Sequence, residues 1–234
     1  MNRWIIPALA IALSAACSPS GPQDPVARGE RDFNGLGCVK CHMIGDKGHA
    51  WGPDLTMLGF RKSAVWIDLW LKDPHAWNPK TVMPNFNLSE ATRADLVAFL
   101  SAQKGEAWKE KPWAVPAVAG LPAAERGRVI FNSVGCVSCH AKDGYGGYPN
   151  NNVAGGLVNS LTLVSEGYSK AELHEKIRGG ATPIPKDSKA PLPMIQMPKW
   201  GDKLSSAEID SVVEYLFTVG PKKAAGAKPG KDDF

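Results

Sequence analysis

The residues with the clearest chemistry are Cys38-Val39-Lys40-Cys41-His42 and Cys136-Val137-Ser138-Cys139-His140. Each is a C-x-x-C-H string, the spacing at which two cysteine sulfurs form thioethers to the two vinyl groups of one porphyrin. Cys38, Cys41, Cys136 and Cys139 are therefore candidate attachment points. His42 and His140 would lie under the iron as proximal ligands. Covalent capture leaves the iron chemistry to the cofactor, while the protein sets axial ligand, burial and access. A lone copy could be a redox dithiol beside a neighbouring histidine. Two copies in matching surroundings argue for two covalently attached haem c groups.

The sixth ligand decides what such an iron does. Closed by His and Met it shuttles electrons; left open it binds and activates a small molecule. Met83 stands in Val82-Met83-Pro84-Asn85-Phe86 and Met197 in Gln196-Met197-Pro198-Lys199-Trp200. Both are Met-Pro with an aromatic two residues on, and proline stiffens the loop and blocks helix formation. Met83 and Met197 are the expected metal ligands, with Met194 as a nearby competitor at the second site. Met57 reads as packing, and Met43 follows His42 too directly to reach the opposite face. Among the other histidines, His75 follows Asp73-Pro74 and could make a bis-His first site. His49 lies in a Gly-rich loop and reads as exposed, and His174 reads as a helix surface residue.

The elements that position these residues are duplicated. Gly29-x-x-x-Phe33-x-x-x-Gly37-Cys38 recurs 98 residues on as Gly127-x-x-x-Phe131-x-x-x-Gly135-Cys136. Leu88-Ser89 opens a segment ending Phe99-Leu100, and Leu204-Ser205 opens one ending Tyr215-Leu216. Each half reads helix, haem motif, loops, helix. A repeat of about a hundred residues is a duplicated domain rather than a solenoid unit. Ser63 predicts a helix over 64–72 that stops before Pro74. Trp66, Ile67, Trp70 and Leu71 form its apolar face, read as pocket wall. Ser169 and Glu172 form a capping box, with Gly179 as a stop and Leu173 and Ile177 facing inward. The stretches 149–156 and 181–193 are Gly-, Asn- and Pro-rich and read as mobile surface, or as a docking face at one haem edge.

The 234 residues allow one or two domains. A hydrophobic content of 44% with 24 Gly and 19 Pro suits a loop-rich globular protein whose haems supply part of the core. The net charge of +4 is modest, and haem carboxylates would offset it; there is no nucleic-acid footprint. The motifs use four of the five cysteines, which leaves no disulfide framework. Arg3 precedes an apolar run over 4–16, and 1–16 reads as a signal peptide, too short to span a bilayer comfortably. Ser14-Ala15-Ala16-Cys17 resembles a bacterial lipobox, with its leucine one place early at Leu13. Cys17 would then be acylated, holding the protein at a membrane surface through a tether over 17–25. Ordinary cleavage after Ala16, or retention as an anchor, are the alternatives. Each places the folded part outside the cytoplasm, on the periplasmic side of a bacterial membrane. Residues 105–122 read as a linker packed on the domains through Trp108 and Trp113. Residues 220–234 read as a disordered, solvated tail, although its lysines could attract an acidic partner.

The Gly…Phe helix before C-x-x-C-H, the string Trp51-Gly52-Pro53-Asp54-Leu55, and the Met-Pro before a last helix together resemble the class I cytochrome c family. The resemblance covers 26–104 and 123–219. It implies an all-α fold of two tandem cytochrome c domains, each wrapped around a haem with long loops. It also implies that the Pro53 carbonyl accepts a hydrogen bond from the outer nitrogen of His42, fixing the imidazole. The second half departs from the pattern and offers only Pro149 as a loose counterpart. The implied function is outer-sphere electron transfer between membrane or periplasmic redox partners, as a free carrier or a subunit of a respiratory complex. No small-molecule substrate is expected at either iron. One rival is a di-haem peroxidase-like enzyme with an open iron, against which the two Met-Pro motifs argue. Another is a gas or redox sensor, for which no signalling domain is visible.

Overall fold

The computed structural model describes residues 24–221, so the expected signal peptide, Cys17 and most of the tail lie outside the described residues. The fold is all-α apart from a hairpin of two-residue strands, Met43–Ile44 and Lys47–Gly48, closed through Gly45 at φ +63°. Among the described residues, no helix is long and apolar enough to cross a membrane.

Each half is framed by its first and last helices. In the first half these are Pro25–Gly35 and Glu90–Ser101; in the second, Ala123–Ser133 and Ser206–Leu216. Local chemistry starts them. Asp24 and Ser89 accept from first-turn amides, and Ser205 forms a full capping box with Glu208. The repeated glycines explain how the pairs close. A Cβ on Gly29 would lie 2.0 Å from the Asp95 carbonyl oxygen, and one on Gly127 would lie 1.8 Å from that of Ser211. Only glycine lets the two backbones touch. The repeated aromatics then seal the contact, Phe33 against Phe99 at 5.5 Å and Phe131 against Tyr215 at 5.4 Å. Arg28 grips Asp95 through two nitrogens, and its counterpart Arg126 grips the Ser211 hydroxyl.

The helix Ala64–Lys72 begins at Ser63, whose hydroxyl accepts from the Trp66 amide, and Trp66, Ile67 and Leu71 are buried. The helix Lys170–Gly179 carries the Ser169/Glu172 capping box and buries Leu173 and Ile177. Two apolar clusters form, one per half, and each borrows from the other. Met57 is 2% exposed, but it packs in the second half's cluster; Ile195 packs in the first half's. Trp113 of the 105–122 segment is buried in the second cluster and donates to Glu208.

Asparagine side chains cross-link the polar loops of the second half. Asn150 is buried; its amide donates to the Ile195 carbonyl and accepts from the Ile195 amide, both at 3.0 Å. Asn151 does the same between Leu192 and Met194, and Asn152 bonds to Asp187 and Pro191. A primary amide offers donor and acceptor together, so it can stand in for a strand neighbour.

Candidate haem-binding sites

Both C-x-x-C-H strings follow a left-handed glycine, Gly37 at φ +78° and Gly135 at φ +87°. The turn after each is tight. The His42 amide donates to the Cys38 carbonyl, and the His140 amide to that of Cys136, each at 3.0 Å. This brings the two cysteines and the histidine, at i, i+3 and i+4, to one face of a helical turn.

In the first half, His42 Nδ1 donates to the Pro53 carbonyl oxygen at 2.9 Å, which leaves Nε2 as the ring's metal-binding atom. The loop is closely fitted: a Cβ on Gly52 would come within 2.7 Å of the imidazole. Met83 packs on the same cluster as Cys38. Its sulfur accepts from Trp70 Nε1 at 3.0 Å, and Trp70 stacks on Trp66 at 5.3 Å.

In the second half, Pro149 does not serve the histidine. Its carbonyl accepts from Trp77 Nε1 of the first half, and it bridges to Leu157. The partner of His140 Nδ1 is instead the Asn159 carbonyl, at 3.3 Å. No local signal marks Asn159, because any residue has a carbonyl. Burial holds the His140 pKa below its usual value, against the raising effect of that carbonyl. The neutral imidazole so favoured is the form that binds metal. Met197 packs on the cluster that also takes Cys136. Its backbone pairs with Ala181 in both directions, at 2.8 and 3.0 Å, where Gly180 at φ +70° lets the chains meet. Met194 packs on the first half's cluster.

The remaining histidines divide. His49 and His75 are exposed. His174 is less open than a surface residue, with its side chain 14% exposed and Nδ1 2.7 Å from Asp210.

The donor set suits a covalently held haem. Burial pushes the Cys136 thiol up to about 12 and raises that of Cys38, so both places favour an uncharged sulfur, as a thioether is. Trp66 Nε1 and Arg61 Nε are buried and make no hydrogen bond among the described residues, which leaves donors for a cofactor's carboxylates. A cleft of about 740 Å³ lies between the halves, lined by Met197 and Pro198 from one and Arg61 and Lys62 from the other. That volume is in the range of cofactor pockets. Arg61 joins the two haem-motif regions: Nη2 donates to the Asp54 carbonyl at 2.9 Å and Nη1 to that of Gly135 at 3.3 Å.

A family model described as Cytochrome c matches residues 26–104 and 124–220. The subunit 2 of cytochrome c oxidase from Alkalihalophilus pseudofirmus is 29% identical over 86 residues, covering 33% of this chain. The match spans about a quarter of that protein's length (25%). No solved structure matches the chain.

Proposed function

Because the chain belongs to the cytochrome c family, we propose that it is a di-haem electron carrier, with one low-spin His/Met haem in each half. The family brings covalently bound haem c and electron transfer. When bound, the haem supplies an iron that cycles between ferric and ferrous states. Cys38 and Cys41 tether one group and Cys136 and Cys139 the other. His42 and Met83 close the first iron, and His140 and Met197 the second. The Pro53 and Asn159 carbonyls hold the two imidazoles in one tautomer, and the apolar clusters keep water away. Electron transfer would be outer-sphere, with no substrate at iron.

The observation that carries this reading is the repetition of the whole arrangement. Both halves set a left-handed glycine before the motif, a backbone carbonyl on the histidine, and a Met-Pro methionine on the cluster that takes the first cysteine. A signal peptide over 1–16 and acylation at Cys17 would place the carrier at the periplasmic face of a bacterial membrane. Likeness to an oxidase subunit favours a respiratory complex as partner, whether the protein docks on it or belongs to it.

The test is carbon monoxide added to the dithionite-reduced holoprotein, followed by absorption. Neither haem should bind it, and Met83→Ala or Met197→Ala should each open one. Rapid stoichiometric binding by the unaltered protein would overturn the closed-iron reading in favour of an enzyme. Mass spectrometry of the exported protein's N-terminal peptide tests the lipid on Cys17.

A further inference from the structure

The two haem motifs differ in what covers them. Cys41 is exposed, whereas the second motif lies against the first half. Cys136 packs with the second cluster, but Cys139 packs with the first. The covering residues are Arg61 and Lys62, only 7% and 6% exposed. Lys62 Nζ lies 3.6 Å from Cys139 Sγ and sits over the rings of Trp66 at 4.5 Å and Tyr148 at 5.0 Å. A thioether sulfur remains a weak acceptor, so this contact is compatible with haem attachment. Gly135 admits the guanidinium, since a Cβ there would lie 2.6 Å from Arg61 Cζ.

Neither cation has a carboxylate within ion-pair distance among the described residues. Two adjacent buried cations without a counter-charge are costly unless something negative joins them. Both line the cleft that Met197 also lines. Arg61 stays charged in any protein; burial lowers the Lys62 ammonium to about 8, against the raising effect of the Cys139 sulfur beside it.

We propose that Arg61 and Lys62 form the cationic wall of the second haem's site, supplied by the first half, and that this wall holds the second haem's reduction potential above the value its own half would set. The inference rests on the two-haem reading above. Reduction transfers one electron from a redox protein to ferric iron and gives ferrous iron. No bond forms or breaks, and the charge of the site falls by one. A fixed cation in a dry, low-dielectric wall favours that lower-charge product. The first half thereby makes the second haem the better electron acceptor than it would otherwise be, and the two halves act as a single unit.

The experiment is a potentiometric titration of the full holoprotein, following absorption, for the unaltered chain and for Lys62→Met and Lys62→Arg. Met197→His, which exchanges a potential-raising ligand for a stronger donor, marks which wave belongs to the second haem. Haem content per chain is measured first: one haem instead of two sinks the two-haem reading itself. With two haems present, Lys62→Met should shift the second wave down and leave the first in place, while Lys62→Arg should restore it. Unmoved waves, or an equal shift of both, would overturn the proposal. Should Lys62→Met fail to fold by circular dichroism, Lys62→Gln, which keeps a polar tip, takes its place under the same criteria.

Discussion

His140 Nδ1 points at the Asn159 carbonyl oxygen across 3.3 Å, where the first half holds His42 against Pro53 at 2.9 Å. The longer bond gives the second imidazole less electron density to donate, because a hydrogen bond from the outer nitrogen raises ligand basicity. The Asn159 carbonyl is kept in place by Gly146, which has φ +71°. A Cβ there would meet the Ser160 nitrogen at 2.6 Å and the Asn159 carbonyl carbon at 2.7 Å.

Gly146→Ala should therefore push this segment away and weaken the bond to His140. A weaker donor stabilises ferric iron less, so on the two-haem proposal the second haem's potential should rise. A net hydrogen bond is worth about 0.5–1.5 kcal/mol, and only the part that differs between ferric and ferrous states moves the potential, so roughly 60 mV for one electron is the upper bound. Asn159→Ala is the control, since it keeps the carbonyl, and it should leave the potential unchanged. Potentiometry reads both; a fall with Gly146→Ala would contradict the assignment.

Gly127→Ala should separate the helices Ala123–Ser133 and Ser206–Leu216. The atom it meets is the backbone oxygen of Ser211, which has no rotamer to escape into. Overpacking of this kind costs about 3 kcal/mol, a Tm loss of roughly 6–12 °C for a chain of this size. Thermal unfolding followed by circular dichroism measures it. A Tm within a degree of the parent would show that the helix contact gives way freely.

The contact between the first and last helices should respond to acid in the first half. Arg28, hydrogen-bonded to Asp95, holds that carboxyl below its usual 3.8. A lowered folded pKa gives stability that is present above the unfolded value and lost as pH falls through the folded one. The first half should thus weaken below about pH 3.8, and Asp95→Asn should flatten that part of the profile. The matching contact in the second half joins Arg126 to the Ser211 hydroxyl and holds no carboxylate. Acid unfolding monitored in both variants decides this; an acid limb that Asp95→Asn leaves intact would assign it elsewhere.

Much of the framework was legible in the residues because its causes are short in sequence. Ser63 caps a helix that runs Ala64–Lys72, and Ser169 with Glu172 opens the next half's helix, since a cap needs only a hydroxyl three residues from an amide. The repeated Gly…Phe spacing also reported a real contact, although its partners, Asp95 and Ser211, emerged only on folding. The stretches 149–156 and 181–193 read as surface loops, and their internal bonds were not legible, because composition records that asparagine is polar but not that Asn150 would find Ile195. Met57 reads as packing, yet the cluster it joins is the second half's.

The sequence by itself determined the local chemistry: two C-x-x-C-H strings, the glycine before each, the Met-Pro loops and the duplication. These depend on covalent spacing and on backbone preferences that act within a few residues. The tertiary structure alone decided which carbonyl orients His140, where His174 and Met194 turn, and that Arg61 and Lys62 of one half stand at the haem motif of the other. Those relations join residues far apart along the chain. They are set by how two similar halves close on each other, and no spacing rule within either half encodes that closure.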